Sequence, residues 1–116
     1  MATYEEFSVD QGADIAIELQ LENPDGSPKD LRNHTATAKL KKSYKSADSV
    51  SFACTMSGDG TNGILLMALT NEQTDSLKPG RYVYDLELSY VDETSGRRIV
   101  DRILEGRIQV SPSVTR

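Results

Sequence analysis

The chain has no tryptophan, one cysteine and one histidine, and its aromatic residues are two phenylalanines and five tyrosines among 116 residues. Cys54 alone cannot form an intramolecular disulfide, and no multi-cysteine metal site exists. His34 alone cannot build a histidine-rich zinc site, and no motif links it to Cys54 as the base of a catalytic thiolate. Positive charge is also short. Thirteen Lys and Arg against eighteen Asp and Glu give a net charge of -5 and a pI near 4.8. Nucleic acid is a poor partner for such a chain, because phosphate binding needs a clustered positive field. The one basic cluster, Lys39, Lys41, Lys42 and Lys45, reads as a solvated strand face. No apolar run approaches the roughly 18 residues of a membrane span, and "MATYEEFSVD" has neither the basic start nor the apolar stretch of a signal peptide. There is no Gly-x-Ser-x-Gly elbow, no phosphate loop and no His-Glu-x-x-His. The reading is a soluble, non-enzymatic protein of a reducing cytoplasm, with no catalytic residues, no cofactor and no metal. Its short start and compact end read as a whole gene product.

Two loops rich in Asp, Asn and Gly, "NPDGSPKD" and "SGDGTNG", offer hard oxygen ligands for calcium. Neither has the spacing of a calcium-binding loop, and turn chemistry explains both.

What the chain does have is alternation. A length of 116 residues suits one domain, residues 1–116, able to bury roughly two-thirds of its unfolded surface without staples. "ADIAIELQLE" sets Ile15, Ile17, Leu19 and Leu21 against Ala16, Glu18, Gln20 and Glu22, the period of a strand with one face in the core. "TATAKLKKS" turns Ala36, Ala38 and Leu40 inward, and "VSFACTM" does the same with Val50, Phe52, Cys54 and Met56. "GILLMALT" is less clean. Leu65, Met67 and Leu69 share a parity, but Ile64 and Leu66 make the other parity apolar too. Thr70 with Gln73 three residues later matches a capping box, predicting a short helical turn near 70–76. The last strand, "RIVDRILEGRIQV", places Val100, Leu104, Ile108 and Val110 on one parity, and the chain leaves the sheet at Pro112. With an edge segment near Tyr4 to Val9, about seven strands separated by turn signals predict an all-β, antiparallel, immunoglobulin-like β-sandwich.

"LKPGRYVYDLELSY" is the most regular stretch. Tyr82, Tyr84 and Tyr90 share a parity with Leu86 and Leu88, so the tyrosine row is an inner wall before it is a binding platform. The Pro79-Gly80 turn followed by Tyr82 marks a structural corner, in which the tyrosine hydroxyl bonds back across the turn. The opposite parity, Arg81, Val83, Asp85 and Glu87, faces out and is open to partners.

The order and spacing of these pieces resemble a family of small virion structural domains of tailed bacteriophages, similar to the immunoglobulin-like N-terminal domain of baseplate upper proteins. The resemblance covers about Phe7 to Arg116. It is most specific at "LT-x-x-Q-T-x-x-L-x-x-G-x-Y-x-Y-D", Leu69 to Asp85, and "LEG-x-x-x-V-S-P-x-V-T", Leu104 to Thr115. Members often carry an aromatic where His34 stands, which makes His34 a turn residue substituted into that pattern. Ile64 and Leu66 stand where polar outward residues are expected, and with Val83 they are the candidate interface; the alternative is that "GILLMAL" is covered on both faces by its own domain. The resemblance implies a building block of the virion (tail, baseplate or head surface), synthesised in the host cytoplasm. Its implied partners are other virion proteins, with homo-oligomers in the particle. A receptor- or glycan-binding module displayed on the particle is the alternative. A small chaperone or inhibitor made during infection is a third class.

Overall fold

The computed structural model describes residues 3–56, 58 and 60–114. Its strands are β1 (Thr3–Asp10), β2 (Ile15–Gln20), β3 (Thr35–Lys41), β4 (Val50–Ser51), β5 (Ala53–Met56), β6 (Ile64–Leu69), β7 (Gly80–Val91) and β8 (Arg98–Ser111). One short helix, α1 (Asn71–Asp75), precedes β7. A five-stranded sheet in the order β1-β8-β7-β3-β4 faces a three-stranded sheet in the order β2-β6-β5. This is an immunoglobulin-like β-sandwich, antiparallel except where β1 runs parallel to β8. The parallel pair departs from the all-antiparallel expectation. It forms because the turn after Asp10 carries the chain across to the other sheet instead of folding back.

The core lies between the sheets and is built by the predicted parities. Ala38 and Leu40 of β3, Leu65, Met67 and Leu69 of β6, Tyr82, Tyr84, Leu86 and Leu88 of β7, and Leu104, Ile108 and Val110 of β8 are all buried. Leu31, Phe52 and Leu77 complete this core from outside the strands. Tyr90 is half-buried and stacks on His34, with ring centroids 4.8 Å apart. An aromatic ring is therefore what the position of His34 accommodates, while its Nδ1 lies 2.9 Å from the Arg32 carbonyl oxygen.

Two sequence expectations fail for a physical reason. "VSFACTM" is one strand by its alternation, yet it changes sheets at Phe52, so that Val50 and Ser51 pair with β3 and Ala53 onward pairs with β6. Phe52 donates its backbone N–H to the Ala38 carbonyl (2.9 Å) and buries its ring, which keeps the inward parity intact across the switch. In β8, Leu104 faces Leu86 but Arg102 faces Glu87, so Ile103 is an extra residue in the ladder. That bulge reverses the parity before it and leaves Val100 47% exposed rather than inward. Beyond the bulge β7 and β8 outrun their neighbours. Among the described residues, β3 pairs no further than Ser89 and β1 begins only opposite Leu104, leaving a two-stranded ribbon.

Candidate functional site

The Pro79-Gly80 corner is built locally. Thr70 caps α1 through a reciprocal box with Gln73, and Leu77 then drops into the core. Thr74, fully buried, donates its hydroxyl to the Ala13 carbonyl (2.8 Å) and accepts from the Gly12 N–H, tying the helix to the β1–β2 turn. The Tyr82 hydroxyl donates to the Lys78 carbonyl at 2.8 Å, four residues back across Pro79 and Gly80. The Lys42 ammonium sits over the Tyr82 ring, 4.9 Å from its centroid, a cation–π contact.

Tyr84 makes the second long-range bond of the row. Its hydroxyl donates to the Glu5 carbonyl (3.0 Å), and burial pushes its ionisation far above the usual range. Gly106 lies between the two partners in the ladder, paired to Tyr84 on one side and Glu5 on the other. A Cβ at Gly106 would run into the Glu5 carbonyl oxygen. The glycine of "LEG" thus admits both the β1 backbone and the tyrosine hydroxyl that reaches it. The row is an inner wall, and no platform for a ligand.

The three candidate interface residues do not form one patch. Ile64 and Leu66 are half-buried on the outer face of the three-stranded sheet, while Val83 is on the outer face of the five-stranded sheet, on the opposite side of the sandwich. Strand parity alone could not show this, because it does not say which sheet a strand joins. Around Leu66 the register places Glu18 on one side and Thr55 on the other; the next row is Ala16, Ala68 and Ala53. Val83 instead sits in the row Lys41, Val83, Arg107, Glu6, beside a row of Lys39, Asp85, Glu105 and Tyr4. Arg102 bridges Asp85 (3.3 Å) and Glu105 (3.5 Å) over this face.

The remaining candidates are structural. Burial pushes the Cys54 thiol up, away from the thiolate a nucleophile needs. Of the two calcium-like loops, the first spends Asp25 on Ser27, whose backbone and hydroxyl both donate to it and hold its carboxyl below the usual range. Asp30 is held by Arg32, whose hydrogen bonds lower its carboxyl to about 2. In the second loop Asp59 lies outside the described residues, as does Thr115 at the end of the "LEG" motif. Among the described residues no three His, Cys, Asp or Glu side chains gather as a metal site. No helix among them is long and apolar enough to cross a membrane.

No protein-family model and no curated protein sequence matches the chain. Among solved structures, it is similar to the N-terminal domain of phage TP901-1 ORF48, with a TM-score of 0.57 and 19% identity over 92% of this chain and 85% of that one. It also matches AggA, the major subunit of aggregative adherence fimbriae type I from Escherichia coli, at a TM-score of 0.37 and 12% identity, covering 91% of this chain and 89% of that one. The first likeness establishes the fold. The second is too loose to carry an argument.

Proposed function

We propose that the chain, acting as one domain over residues 1–116, is a non-enzymatic building block of a tailed-phage particle that works through protein–protein contacts. The observation that carries this is the near-complete overlap with the N-terminal domain of a phage protein at a TM-score of 0.57. The phage-type motifs read in the sequence point the same way. The contact surface in this reading is the outer face of the three-stranded sheet, centred on Leu66 and Ile64. Three strands about 4.8 Å apart, two of six residues and one of four, present less than about 300 Å², well under the roughly 800 Å² per partner of a standard interface. Such a contact is weak alone and is held by repetition in a particle, where linked copies raise the effective concentration.

The test is mass spectrometry of purified particles together with incorporation of Leu66→Arg. Presence of the protein at fixed copy number, and loss of incorporation in a variant that still folds, is the expected result. Absence from particles, or full incorporation of Leu66→Arg, refutes the reading.

The glycan-binding alternative loses its platform, since Tyr82 and Tyr84 are core. Among the described residues two tyrosine rings remain exposed, Tyr4 (54%) and Tyr44. Tyr44 is 70% exposed beside Asp85 and Arg102 in a shallow polar cleft, the mixture of aromatic face and hydrogen-bonding groups that a sugar uses. Binding on a carbohydrate array that disappears with Tyr44→Ala would favour it.

A further inference from the structure

Among the described residues the two open sheets end in four edge strands, β1, β4, β2 and β5. Unpaired backbone along an edge is a template for another strand, and edges are protected by shortness or by charge. β4 has two residues and β5 four, and the chain crosses from one to the other at Phe52. β1 is long but carries Glu5, Glu6 and Asp10 with no cation. β2 has neither protection. It runs six residues, Ile15–Gln20, without proline or glycine, and Glu18 is its one charge. Leu21, next on the same ladder, donates its N–H to the Gly63 carbonyl (2.7 Å). Backbone groups alternate sides along a strand, so Ile15, Ile17 and Leu19 bond to β6 while Ala16, Glu18 and Gln20 aim theirs away from it. No hydrogen bond among the described residues reaches the backbone of those three. The inward side chains of Ile15, Ile17 and Leu19 are only half-buried, and Ile15 and Ile17 line an open cleft against Phe7 of β1.

We infer that β2 pairs with β2 of a second copy of this chain, antiparallel about a two-fold axis through Ile17, which joins the two small sheets into one. The register selects that occupant. With Ile17 opposite itself, Ile15 faces Leu19 of the second copy, Ala16 faces its Glu18, and inward side chains stay inward in both copies. Ala16 and Glu18 both have free backbone groups, so each such pair exchanges two hydrogen bonds. Other axes fail. An axis at Glu18 sets that carboxylate against itself, and one at Ala16 sets Asp14 against Glu18. An axis at Leu19 leaves only Glu18–Gln20 in the overlap, and an axis between two residues opposes inward side chains to outward ones. The joined sheets carry Ala16, Leu66 and Ile64 of both copies on one outer face of less than about 600 Å². That is nearer the roughly 800 Å² of a standard interface than either sheet alone. The use of the pair rests on the building-block reading, but the pairing itself is read on the isolated chain. It can fail while the particle result for Leu66→Arg stands, and the reverse.

The test is sedimentation equilibrium of the full chain up to about 1 mM, where a contact this small associates, with amide hydrogen exchange at both ends of the range. A monomer–dimer equilibrium is expected. The amides of Ala16, Glu18 and Gln20 gain protection on concentration, while those of β1 and β5 do not. The two copies of Glu18 lie diagonally across the axis, so added salt and Glu18→Gln should both tighten the dimer, the substitution by about two- to fivefold. The register makes a further demand. Ala16→Lys should tighten association and Ala16→Glu weaken it, because Ala16 faces Glu18 of the second copy. Glu18→Pro removes an N–H that no bond within the chain uses, and should abolish the dimer with the urea midpoint little changed. Should that variant lose its fold, the two Ala16 substitutions carry the same decision. A chain that stays monomeric over the whole range overturns the inference. So does a dimer that Glu18→Pro or Ala16→Glu leaves intact, one that both Ala16 substitutions shift alike, or one whose added protection falls on β1 or β5.

Discussion

The three strands of the small sheet carry a single charged side chain, Glu18, while the strands of the large sheet carry seven carboxylates and six cations. Both sheets turn aliphatic and aromatic residues inward, so the difference lies on their outer faces except for Glu5 and Asp101, which are exposed at the ends of the inward rows of Tyr84 and Leu88. On the large sheet, rows of Lys, Asp, Glu and Arg are solvated, and any partner would have to strip water from them. On the small sheet a row of three alanines lies beside Leu66 and Ile64, and covering it desolvates almost no charge. The same fold therefore has one face suited to water and one that loses little by leaving it. That division depends first on what holds the large sheet together.

The largest effect is expected at Gly106. Gly106→Val drives a side chain into the Glu5 carbonyl and must expel β1 from the edge of the large sheet, taking the Tyr84 hydrogen bond with it. A loss at or above about 4 kcal/mol in urea denaturation is expected, near the total stability of many domains of this size. Gly106→Ala should retain a fold and still show a large loss. A cost below about 1 kcal/mol for Gly106→Ala would mean that β1 is not seated as described.

Next comes a contrast within β6. Leu65→Ala opens a cavity in the core and should cost about 2–5 kcal/mol, whereas Leu66→Ala on the outer face should cost less than about 1 kcal/mol. The measurement is the difference between two urea midpoints. Similar losses at both positions would show that the outer face of the small sheet is already covered within the chain, leaving nothing to offer a partner.

The parities that set up this contrast were legible in the sequence, because a strand between core and solvent must alternate whatever it pairs with. So were the capping box at Thr70 and Gln73 and the corner turn before Tyr82, which rest on contacts within a few residues. Sheet membership was not legible. Phe52 alternates perfectly with its neighbours while the chain crosses from one sheet to the other beneath it, and no local pattern marks the crossing. For the same reason Val83 and Leu66 looked like parts of one interface until their strands were assigned to opposite sheets. The bulge at Ile103 was hidden because an inserted apolar residue in an apolar strand leaves the composition unchanged, and only the ladder reveals that Val100 has turned outward. Lys42 and Lys78 both meet Tyr82, one through its ring and one through its hydroxyl, a convergence out of reach of any spacing argument.

A smaller effect is expected at the corner of the large sheet. Tyr82→Phe keeps the ring in the core and under Lys42, and removes only the hydroxyl that bonds to the Lys78 carbonyl. The expected loss is about 1 kcal/mol, the net worth of one partly buried hydrogen bond. Restricting the change to one atom separates the corner bond from the packing of the inner wall. An unchanged urea midpoint would reduce the corner to packing alone.

The smallest effect tests the charged face itself. Arg102 bridges Asp85 and Glu105, with side chains 49%, 36% and 35% exposed, so solvent and salt screen both contacts. Arg102→Gln should therefore change stability by less than about 0.5 kcal/mol. The same substitution raises the net negative charge of a face whose cations it depletes, and its consequence belongs to solubility and partner choice. Measured beside Leu66→Arg, the pair decides the comparison. Leu66→Arg puts a cation next to Glu18 on the nearly uncharged face, where the isolated chain tolerates it and any partner covering that face does not. If instead Arg102→Gln abolished association while Leu66→Arg left it intact, the large sheet's charge pattern would be the recognition surface, and the small sheet's apolar face would be an ordinary solvent-exposed one.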